Sequence, residues 1–96
     1  MFKLIDETIK KVINPKVELT LVLGDLKFTA KTNTFPEAMQ KLYEDSFGNV
    51  KVWGTLTLKM GGKKAEVKYR PIMLKRAFVG KFAQNMLYDR LLTILK

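Results

Sequence analysis

The chain has 96 residues, 47% of them apolar and 28% charged, the composition of one globular domain and not of a disordered segment. Eighteen Lys and Arg stand against nine Asp and Glu, a net charge of +9 that favours polyanions: nucleic acid, an anionic lipid surface or an acidic protein surface. Cysteine and histidine are both missing, which excludes disulfides and thiolate chemistry and removes the commonest general base and metal ligand.

The opening MFKLIDETIKK is too charged for the apolar region of a signal peptide, and no uncharged run reaches the length of a membrane span. A cytoplasmic location is the default expectation. Residues 2–13 place Phe2, Ile5, Ile9, Val12 and Ile13 at helical spacing, and Asn14-Pro15 ends that helix.

KVELTLVL-GD-LKFTAKT reads as a hairpin with Gly24 and Asp25 in its turn. One face then pairs Leu23 with Leu26, Leu21 with Phe28 and Leu19 with Ala30. The other pairs Val22 with Lys27, Thr20 with Thr29 and Glu18 with Lys31. Thr34-Phe35-Pro36-Glu37 is a capping box with proline in the first turn, and it starts a helix over 35–46. Ala38, Met39, Leu42 and Tyr43 form its core stripe, and Gly48 is a stop signal beyond it.

KVWGTLTLKM-GG-KKAEVKYR repeats the hairpin pattern around Gly61-Gly62. Leu58 and Ala65, Leu56 and Val67, and Gly54 and Tyr69 share the apolar face. Lys59 and Lys64, Thr57 and Glu66, Thr55 and Lys68, and Trp53 and Arg70 share the other. Gly61-Gly62-Lys63-Lys64 superficially looks like a phosphate loop, but it opens onto a strand and lacks the longer glycine spacing. Residues 72–95 are helical, with Gly80 as a point of kinking or division. Met73 and Met86 read most simply as core filler.

The expected fold is α+β in the order α-ββ-α-ββ-α, a single domain whose two β-hairpins form an antiparallel sheet packed on helices. Its apolar face belongs under the helices and its polar face in water. That polar face is the candidate nucleic-acid site: Lys27, Lys31, Lys51, Lys59, Lys64, Lys68 and Arg70 around Trp53, with Thr20, Thr29, Thr55 and Thr57 among them. Ammonium groups attract phosphates, hydroxyls bond phosphate oxygens, and an indole stacks on a base. The same residues also suit an ordinary solvated face, with Trp53 paired to Arg70 by a cation–π contact.

No catalytic residue, metal site or cofactor is nominated. Asp6-Glu7 and Glu44-Asp45 are neighbours along helices and diverge, and Glu18 with Glu66 amid seven cations makes a poor magnesium site. The leading expectation is a non-catalytic nucleic-acid-binding protein, for DNA or RNA. The alternative is a protein-interaction module, an inhibitor or adaptor on an acidic protein surface or a homo-oligomer formed through the C-terminal helix, with a viral or mobile-element origin as one source. That helix carries apolar residues around most of its circumference, more than one sheet face needs. Its positives, Lys75, Arg76, Lys81 and Arg90, also suit an anionic membrane surface, a weaker expectation.

Overall fold

Strict alternation with a glycine-bearing turn fixes the register of a hairpin, and both hairpins obey it. In the computed structural model, which describes residues 15–46 and 50–95, strand β1 (Val17–Leu23) pairs with β2 (Leu26–Thr32) and β3 (Gly54–Met60) with β4 (Lys63–Tyr69). The partners are those the sequence implies, from Leu21 opposite Phe28 to Leu56 opposite Val67. Gly61 and Gly62 sit at φ +56° and +77°, the left-handed region that a two-residue turn of this kind requires at both positions.

The hairpins join through antiparallel β1 and β3, giving one four-stranded sheet in the order β2-β1-β3-β4. This contact sets Leu19 beside Leu58 and Leu21 beside Leu56. One sheet face therefore becomes continuous apolar rows, such as Ala30-Leu19-Leu58-Ala65, all of them buried.

Three helices of the described residues cover that face. Helix α1 (Phe35–Ser46) lies on β2 and β1, burying Phe35, Ala38, Met39 and Leu42. Its start is the expected capping box: Thr34 Oγ1 accepts the Glu37 N–H at 3.4 Å and donates to Glu37 Oε1 at 2.8 Å. Helix α2 (Pro71–Val79) buries Leu74, Ala77 and Phe78. Helix α3 (Lys81–Leu95) packs on α2 and β4 through Leu87 and Leu91. Phe35 of α1 stacks on Tyr88 of α3 with ring centroids 4.5 Å apart, tying the two ends of the helical layer together.

The expected 72–95 helix is thus two helices. Gly80 takes an extended conformation between them (φ −105°, ψ 121°), and Gln84 donates from its side chain across the break to the Ala77 carbonyl at 3.0 Å. Two expectations are corrected. Met73 and Met86 are exposed, not core, because Leu74 and Leu87 beside them take the inward positions. Tyr43 lies at the rim of the core, its ring tilted against Phe78 at 5.6 Å. Val50, just ahead of β3, is fully buried although no periodic pattern marks it. The expected helix over 2–13 and the Gly48 stop fall outside the described residues. No helix among the described residues is long and apolar enough to cross a membrane.

Candidate nucleic-acid interface

The strand pairing arranges the second sheet face into rows that run across all four strands. The first row is Lys31-Glu18-Lys59-Lys64, the second Thr29-Thr20-Thr57-Glu66, and the third Lys27-Val22-Thr55-Lys68. Lys27 and Lys31 on one edge strand and Lys64 and Lys68 on the other mark the corners. With same-face residues about 6.7 Å apart along a strand and strands about 4.8 Å apart, the corners enclose roughly 13 by 14 Å. None of the three described helices packs on this face.

The positives are not equivalent. Glu18 stands between Lys31 and Lys59, with carboxylate–ammonium distances of 3.9 and 3.6 Å, so one carboxylate offsets part of the charge of two lysines. Glu66 accepts a hydrogen bond from Thr57 at 3.4 Å, and the Thr20 and Thr29 hydroxyls are 3.3 Å apart. Among the described residues, Lys27, Lys64, Lys68 and Arg70 have no carboxylate within ion-pair distance. Lys59 and Lys64 also face one another directly, a like-charge pairing that costs stability until an anion bridges it.

The ladder stops at Gly54 opposite Tyr69, so Trp53 and Arg70 lie one step beyond it. They still meet: the Arg70 guanidinium carbon stands over the indole, 5.9 Å from the ring centroid, and the Trp53 side chain remains 55% exposed. Lys51 is exposed in the irregular segment leading into β3 and is not part of the rows. Seven of the eight candidate residues thus belong to one face and its end, while Lys51 stands apart.

A cleft of about 420 Å³ opens at that end, lined by Trp53, Lys68, Tyr69, Arg70, Met73 and Arg90. Lys68, Arg70 and Trp53 reach it from the polar face. Tyr69 has the alternation of the apolar face, and Met73 and Arg90 come from α2 and α3. The sequence does not pair Arg90 with the sheet, because their proximity depends on how α3 crosses the end of β4. Its only local signal is a position beside the buried Leu87 and Leu91, at the flank of the inward stripe. No protein-family model, curated protein or solved structure matches this chain.

Proposed function

We propose that this chain is a non-catalytic nucleic-acid-binding protein that engages the phosphate backbone through the polar face of its sheet. The observation that carries the reading is the row geometry. Four lysines at the corners, with a line of threonine hydroxyls between them, form a cationic field about as wide as two or three phosphates of an extended strand. Arg70 extends the field toward Trp53, and Lys31 and Lys59 contribute whatever charge Glu18 leaves. A polyanion lying across Lys59 and Lys64 relieves their mutual repulsion, so binding and fold energetics point the same way.

The test is fluorescence anisotropy of a labelled 12-mer over a series of salt concentrations. The expected log–log slope is about −1.5 to −2, given about 0.7 per neutralised phosphate for single strands and two or three phosphates across the field. Lys64→Glu with Lys68→Glu should weaken binding at least tenfold. Absence of salt-dependent binding to DNA and RNA alike rejects the proposal.

A second reading rests on a different surface. Val79 is 73% and Phe82 77% exposed, and Met86 lies one turn beyond Phe82 on the same side of α3. Exposed apolar side chains at this spacing suit docking to protein, including a second copy of the chain.

A further inference from the structure

The cleft at the Trp53 end has a chemical character that the rows do not. Its lining combines three cations, Lys68, Arg70 and Arg90, with two aromatic rings and a thioether, and among the described residues it contains no carboxylate. The cations come from three different elements: the end of β4, the link that follows it, and α3. All three therefore line one cleft instead of one exposed strand. Arg70 already stands against the indole, which anchors the ring, yet more than half of the Trp53 side chain is still open. The cleft is open toward solvent and offers about 420 Å³, above the roughly 300 Å³ at which small-ligand sites begin.

A ligand that satisfies all of these features needs a flat aromatic part for the indole and a multiply charged anionic part for the three cations. A nucleoside phosphate has both. Bases in an intact duplex are stacked on one another and cannot present a face to Trp53, whereas an unpaired nucleotide can. The cleft is also continuous with the polar face through Lys68, which belongs to the third row and to the cleft lining alike. We infer that the cleft takes one unpaired nucleotide of a strand whose backbone crosses the sheet, so that the protein prefers single-stranded to duplex nucleic acid. This inference rests on the sheet-binding reading and adds strand preference to it.

The experiment compares a labelled oligo(dT) 12-mer with a dT·dA duplex of the same length by anisotropy, and follows the emission of Trp53 in parallel. One stacked base is worth about five- to 150-fold in affinity, so the single strand should bind at least fivefold tighter and quench Trp53. Trp53→Ala should bring the single-strand to duplex ratio below about twofold, and Arg90→Gln should lower it at least threefold. Both side chains are exposed, and circular dichroism of each variant confirms that it is folded. Lys27→Glu with Lys64→Glu, on the sheet and away from the cleft, should weaken both ligands and preserve the ratio.

Equal affinity for the two ligands with unquenched Trp53 overturns the cleft assignment and leaves the sheet reading intact. Salt-dependent binding of neither ligand overturns both. Thymidine 5′-monophosphate supplies the last arm. If it quenches Trp53 at concentrations within threefold of the 12-mer, the cleft serves free nucleotides and the strand assignment is overturned.

Discussion

Leu74 of α2 lies so close over Gly54 of β3 that a methyl group on Gly54 would stand 2.5 Å from Leu74 Cδ2. Leu21 and Leu23 flank the same point at 3.1 and 3.2 Å. Gly54 faces the helices in the inner row between Leu23 and Tyr69, so the absence of a side chain there lets α2 sit down on the sheet. The contact also adjoins Trp53, and α2 begins directly after Arg70. The seat of Leu74 thereby holds the end of the sheet where the cleft opens.

Gly54→Ala should accordingly lower stability by about 1–3 kcal/mol, the usual cost of forcing a methyl group into a packed core. Leu74→Ala alone should cost about 2–5 kcal/mol through the space it empties. The double variant should cost clearly less than the sum of the two, since the new methyl occupies part of that space. Urea denaturation of the four proteins measures the cycle, and strict additivity rejects the contact.

Glu18 offers a test in which affinity rises. Its carboxylate holds Lys31 and Lys59 at 3.9 and 3.6 Å, and all three side chains are partly open to solvent. Glu18→Gln should leave stability within about 0.5 kcal/mol, as expected for exposed ion pairs and surface substitutions. It should tighten oligonucleotide binding several-fold at low salt by releasing both lysines to the ligand. The gain should shrink as salt rises and the charges are screened. Unchanged or weaker binding at every salt concentration counts against the sheet face.

Thr34 is expected to matter for stability alone. Its hydroxyl accepts from the Glu37 amide and donates to the Glu37 carboxylate, and the next residue, Phe35, is buried and stacked on Tyr88. Thr34→Ala should cost about 0.5–2 kcal/mol, in the range of other lost helix caps. Thr34→Ser should recover most of it. Thermal unfolding by circular dichroism reads both, and nucleic-acid affinity should stay the same because Thr34 is uncharged and belongs to none of the rows.

The rows were legible because three independent signals agree on them: turn residues, alternation, and the polar or apolar character of each facing pair. Leu21 with Phe28 and Leu56 with Val67 follow from either hairpin read alone. The joining of β1 to β3 is a different matter, since strands more than thirty residues apart leave no local mark of which edges meet. The helical region misled for a related reason. Phe82 and Met86 are apolar and continue the stripe of Leu74 and Phe78, but the extended backbone at Gly80 resets the helical phase and turns them outward, while Met73 in α2 yields the inward position to Leu74 beside it. Arg90 gave no sign of its place in the cleft because only the docking of α3 brings it to Trp53. Charge and alternation thus predicted the face, while the cleft required tertiary packing.

That phase reset makes the C-terminal helix separable by mutation. Leu87 and Leu91 are fully buried, so a lysine at either places an unpaired charge in the core and should abolish cooperative unfolding. Neither can report on association with a partner. Met86, 56% exposed, and Phe82 can. Phe82→Lys with Met86→Lys should keep the fold and change stability by no more than about 1 kcal/mol, in line with surface substitutions. If Val79, Phe82 and Met86 pair two copies of the chain, light scattering should give a dimer for the unmodified chain and a monomer for this variant, both folded. A monomer for the unmodified chain at 100 µM, the highest concentration of the experiment, ends the second-copy form of that reading. The sheet and the cleft then carry the binding without a partner subunit, and the variant should bind oligonucleotide with unchanged salt slope, since neither residue lies in a row.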